Sequence, residues 1–109
     1  MFVNTQQIQL GATKYIEHEL GQKAVGFNKF AVYFALPIVN DKIVKYVESY
    51  SENQLTKDFF DENKNVDIDR VYNMAKNAIQ KSGKFMLYGI MFEESDIDKL
   101  YGYIKGDLV

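Results

Sequence analysis

Cysteine is absent from this chain of 109 residues, which excludes a disulfide framework, a thiolate nucleophile and a thiolate metal site. A single histidine, His18, excludes any self-contained zinc site built on two histidines. His18 lies between Glu17 and Glu19, with no nucleophile motif to serve, and reads as a surface side chain. One arginine, Arg70, stands against twelve lysines, so bidentate clamps for carboxylate or phosphate are scarce. The longest uninterrupted apolar run, residues 30–39, is far short of the ~20 needed to span a bilayer. The first residues, Met1 to Gln7, lack the basic-then-apolar pattern of a secretory signal. Walker, G-x-G-x-x-G and G-x-S-x-G motifs are all missing.

What is present is the material of a folded core. Hydrophobic residues make up 47% and charged residues 26%, which excludes wholesale disorder. Two independent cores need roughly 50 residues each at the least, so residues 1–109 read as one domain. The formal charge is −2 and the lysines are scattered, so no basic footprint for nucleic acid is visible. These features point to a protein of the cytoplasm, or of a particle assembled there, that binds neither nucleic acid nor membrane.

Periodicity predicts a mainly helical α+β fold. Ile8, Ala12, Tyr15 and Ile16 recur at helical spacing over residues 5–20. A second helix is expected over 27–51, apolar nearly all round between residues 30 and 39. Pro37 sits inside it, so a kink near that position is expected. Ile43, Val44, Val47 and Tyr50 form the inward face of its last part. Residues 51–65 are polar and read as a loop from which Phe59 and Phe60 pack back onto the core. Ile68, Val71, Tyr72, Ala75 and Ile79 mark a third helix over 67–81, and Ile97, Leu100, Tyr101 and Ile104 a fourth over 96–105. Between them, residues 84–92 are aromatic and lack helical polarity, so a small β element is expected there. Gly89 marks its turn or a bulge.

Two segments echo each other at an offset of 29 residues. Residues 66–76 read VDIDRVYNMAK and residues 95–105 read SDIDKLYGYIK. Asp67 and Asp96 are expected to cap helices, with Asp69 and Asp98 in the first turn, where the helix dipole favours negative charge. A duplication is the alternative source of the echo.

The chemistry-bearing candidates are few. Asp61, Asn63, Asn65 and Asp69 have the spacing of oxygen ligands in an EF-hand calcium loop. The place of the obligatory glycine holds Val66, and that of the bidentate glutamate holds Tyr72, so the four are weak metal candidates. Glu93, Glu94, Asp96 and Asp98 form a second acidic group, readable as paired carboxylates or as a solvated turn. Neither supplies an enzyme signature, and no cofactor is implied.

High lysine, asparagine and tyrosine with one proline is the mark of an AT-rich genome. The stretch from Gly26 to Ile38 and the ending from Ser95 to Lys105 resemble small proteins encoded by phages and prophages of low-GC Gram-positive bacteria. That resemblance implies no activity and no site residues. The expectation is a non-enzymatic interaction or assembly protein, with a small inhibitor of a host enzyme or defence complex as the alternative and divalent-cation binding as a remote one. The partner is expected to be a protein, with a second copy of the chain foremost. Phe27, Val32, Tyr33 and Leu36 are the candidate contact residues, because a helix apolar on all sides is hard to cover from within so small a domain.

Overall fold

A computed structural model describes residues 1–20, 29–87 and 90–108. Their order is β1 (Phe2–Val3), α1 (Thr5–Tyr15) running into a π turn (Ile16–Leu20), α2 (Lys29–Glu52), a 3-10 turn (Lys57–Phe59), β2 (Val66–Asp67), α3 (Ile68–Ser82), β3 (Phe85–Leu87), β4 (Ile90–Phe92) and α4 (Glu94–Lys105). The fold is mainly helical α+β, with four α-helices among the described residues.

Local chemistry sets the helix ends. Asn4 caps α1 through a reciprocal pair: its side chain accepts from the Gln7 N–H, and the Gln7 side chain accepts from the Asn4 N–H, both at 2.8 Å. Asp67 caps α3 by accepting from the Arg70 N–H at 3.5 Å. Gly106, left-handed at φ 87°, ends α4 as a residue without a Cβ readily does. Pro37 lies within α2, which is continuous from Lys29 to Glu52.

Two departures from expectation concern short elements. Strand β1 pairs antiparallel with β2, Phe2 opposite Asp67 and Val3 opposite Val66. Two residues are too few to show a two-residue period, yet Val3 is the most deeply buried large side chain described. The fourth helix begins at Glu94, before Asp96, so Asp96 does not cap it. Glu93 occupies the cap position, and the Asp96 carboxylate accepts the Glu93 N–H at 2.8 Å. The expected small β element is an antiparallel pair, β3 and β4, with Phe85 opposite Phe92 and Leu87 opposite Ile90. Gly89 lies outside the described residues.

Helices α1 and α4 are the closest pair. Gly11 makes this possible: a Cβ there would stand 2.5 Å from Ile104 Cγ1 and 2.6 Å from its Cα. Around the pair, Val3, Val66, Ile68 and Ile104 form one buried cluster, onto which Phe59 and Phe60 pack as expected. Tyr15, Ile16 and Tyr103 form a second, covered by Leu36 and Val39 of α2. Leu100 touches both clusters. Helix α2 lies on α1, and α3 lies on α4.

Candidate functional site

Helices α2 and α3 stand on either side of the α1–α4 pair, and a groove of about 540 Å³ opens between them. Its floor is Val47, Val66, Ile68 and Ile104, all buried. Its rim is Tyr46 and Tyr50 of α2 and Met74 of α3, all about half exposed. The two tyrosine rings stack at 5.7 Å. Phe59 and Phe60 also line it. Apart from tyrosine hydroxyls, the polar side chain in the lining is Thr56, whose hydroxyl donates to the Tyr50 carbonyl at 2.7 Å. Tyr50, expected inward, thus stands on the rim, because α2 turns only Val47 fully onto the floor at this level.

Beyond the groove, α2 exposes two more large apolar side chains. Phe34 is 76% exposed and Ile38 is 58% exposed. Of the contact residues expected from sequence, Leu36 is half-buried against the Tyr15, Ile16 and Tyr103 cluster. Phe27 and the side chains of Val32 and Tyr33 lie outside the described residues. The helix therefore buries its Leu36, Val39 and Val47 face on α1 and turns Phe34 and Ile38 to solvent. Two apolar stripes are visible in the sequence, but which of them α1 covers depends on the rotation of α2.

The acidic candidates serve the fold. The Asp61 carboxylate accepts from the Asn63 and Asn65 N–H groups, both at 2.9 Å, and from Asn65 Nδ2 at 3.1 Å. Those bonds hold its carboxyl below the ordinary value. Asp69 binds the Met1 amine at 2.6 Å and accepts from the Tyr101 hydroxyl. Asn63 and Asn65 are thus tied to Asp61, whereas the Asp69 carboxylate is taken by Met1 and Tyr101. No group of three or more acidic or histidine side chains among the described residues is arranged to hold a metal ion.

The second acidic group, all of it in α4 or at its cap, is divided among different partners. Glu93 pairs with Lys84 at 3.0 Å. Lys76 of α3 binds Glu94 at 2.7 Å and Asp98 at 2.8 Å, which lowers both carboxyl pKa values. Asp96, 5% exposed, accepts from the Tyr15 hydroxyl at 3.1 Å. Burial, then the Asp96 charge, pushes the Tyr15 phenol well above its ordinary value. His18 stays on the surface, its ring edge-on to Tyr103 at 5.8 Å.

The echo closes into a clasp between α3 and α4. Tyr72 stacks on Tyr101 with ring centroids 4.0 Å apart. The Tyr72 hydroxyl donates to Asp98 at 2.5 Å, and the Tyr101 hydroxyl donates to Asp69. Each tyrosine thus binds the aspartate of the other copy of the motif. Lys76 stands over the Tyr72 ring at 5.6 Å and Lys105 over the Tyr101 ring at 4.1 Å.

No helix of the described residues is long and apolar enough to cross a membrane. Comparison with protein-family models, with curated proteins and with solved structures found no match to this chain.

Proposed function

We propose that this chain is a non-enzymatic interaction protein that takes apolar side chains of another protein into the groove between α2 and α3. The lining of that groove carries the reading. A small-molecule site of this volume usually places a few polar groups to orient its ligand. Here the lining is aliphatic and aromatic, and its threonine hydroxyl is already bonded within the fold. Such a surface suits Leu, Ile, Phe or Met side chains, which need shape and dryness rather than orientation. The carboxylates that acid–base chemistry would need are held in ion pairs and tyrosine contacts away from it. The resemblance to phage and prophage proteins supports a role in the bacterial cytoplasm or in a particle assembled there.

A photo-crosslinking amino acid at position 46, on the rim, tests the reading. Position 81, exposed at the far end of α3, serves as control. The purified protein and a lysate of the bacterium that carries the gene are both irradiated. A protein adduct from position 46, lost on Met74→Glu and absent from position 81, is the expected result. No adduct, or equal adducts from both positions, would overturn it.

A further inference from the structure

We propose that the protein partner is a second copy of this chain, docked antiparallel along α2 about a two-fold axis near Lys42. The proposal rests on the groove reading above and names its occupant.

Phe34, Ile38, Lys42, Tyr46 and Tyr50 follow one another at intervals of four residues and form a single ridge of α2. Phe34 and Ile38, the exposed apolar pair, occupy the first half of that ridge. Tyr46 and Tyr50, the groove rim, occupy the second. Lys42 is the midpoint. At about 1.5 Å of rise per residue, Ile38 and Tyr46 lie roughly 6 Å to either side of it, and Phe34 and Tyr50 roughly 12 Å. That ridge winds by about 40° per step, so the two helices cross at about −50°, the angle at which such ridges interdigitate, and a two-fold rotation at Lys42 then carries Phe34 and Ile38 of each protomer to the groove mouth of its partner. One operation thus fills both grooves and covers both exposed pairs, as an isologous interface requires.

The charges agree with this pairing. Asp41 and Lys45 form a 3.0 Å pair along the exposed side of α2. In the antiparallel arrangement Asp41 of one protomer comes within reach of Lys45 of the other, twice over. Asp41 also supplies a counter-charge where the two Lys42 side chains approach the axis. A different protein would need an apolar filler for the groove and a separate cover for Phe34 and Ile38. The second copy brings both.

Sedimentation velocity of the full chain tests the assembly. A dimer at micromolar concentration is expected, with Ile38→Glu raising the half-dissociation concentration by at least about tenfold. Ile38 is exposed, so circular dichroism and melting temperature should stay as in the parent, which separates lost docking from lost folding. The cysteine-free background allows a second readout. Lys42→Cys treated with a short bis-maleimide should give a covalent dimer, Lys81→Cys should not, and adding Ile38→Glu to Lys42→Cys should abolish the dimer. A monomer at tens of micromolar, or a dimer indifferent to Ile38→Glu, overturns the proposal. A monomer whose position-46 crosslinker still captures another protein ends the self-docking proposal and leaves the groove reading standing. Loss of every adduct ends both.

Discussion

Gly11→Ala probes the closest approach in the fold. In an open helix the change would stabilise by about 1 kcal/mol, because alanine is the better helix former. Here the new methyl would stand 2.5 Å from Ile104 Cγ1, 2.6 Å from its Cα and 2.8 Å from its N. Carbon atoms rest at about 3.5–4.0 Å, so α1 and α4 must separate by roughly 1 Å. A rotamer change in Ile104 can clear Cγ1 but not the two backbone atoms. Overpacking of this kind costs about 1–3 kcal/mol, and the backbone clash places it at the upper end. With the propensity gain subtracted, a net loss of about 2 kcal/mol is expected. For a domain of this size that corresponds to a melting temperature lower by roughly 8–16 °C. Calorimetry with a urea titration measures both quantities. An alanine variant as stable as the parent would refute the reasoning, since it would mean that α1 and α4 are not in backbone contact at Gly11.

Asp67→Ala should cost about 0.5–2 kcal/mol, as loss of a helix cap does. Asp96→Ala should cost more, about 2–3 kcal/mol, because it strands the Tyr15 hydroxyl and the Glu93 N–H; Tyr15→Phe should cost about 1–2 kcal/mol, and urea midpoints rank the three. Tyr72→Phe and Tyr101→Phe should each lower the melting temperature, and the double variant should lose less than the two losses combined, since the rings and aspartates share one cluster. Stability should hold through neutral pH and fall at both ends. The carboxyl pKa values of Glu19, Glu94, Asp69 and Asp98 are lowered by bonds to Lys99, to Lys76, to the Met1 amine and to Lys76 respectively, so their contribution is complete above the ordinary carboxylate range and is lost as pH falls through it. Those of Tyr15 and Tyr103 are raised chiefly by burial, and those of Tyr72 and Tyr101 chiefly by their aspartates, so their contribution is complete below the ordinary phenol value and is lost as pH rises past it. Tyrosine absorbance followed from pH 9 upward should show part of the phenol ionisation coinciding with unfolding; an absorbance curve with no step at the unfolding transition would contradict this.

The helices were legible because their buried faces recur at helical spacing over many turns, as Ile68, Val71, Tyr72, Ala75 and Ile79 show. Two-residue strands leave no such trace, and β1 is recognisable only from Val3 once β2 lies beside it. The close approach at Gly11 was not legible either, because a helical glycine looks the same in sequence whether its open side meets solvent or Ile104. The groove combines both cases. Val47, Val66, Ile68 and Ile104 are all apparent as apolar positions, but the space above them exists because α2 and α3 sit on different partners and stand apart. Local periodicity reports which face of a helix is apolar. It does not report whether two neighbours meet over that face, and so it left Leu36 a candidate for the exposed side, where the fold instead turns Phe34 and Ile38 to solvent and packs Leu36 on the Tyr15 cluster.

The 29-residue echo has the most direct structural counterpart. Shared helix-start chemistry does not account for it, because the two copies begin their helices in different registers: Asp67 is the cap of α3, whereas Asp96 stands three residues past the cap of α4. What the copies share is position in the contact. Asp69 and Asp98 correspond at the offset of 29, as do Tyr72 and Tyr101, and each tyrosine binds the aspartate of the opposite copy while the two rings stack. The lysines follow the same order, each over the tyrosine of its own helix. A reciprocal contact between antiparallel helices demands the same residues at the same intervals on both, since every donor on one helix needs its acceptor on the other. The Ile positions obey the buried stripe, and the Asp–Tyr interval of three residues obeys the clasp. Two helices under that joint constraint arrive at similar sequences, whether they began as copies or not.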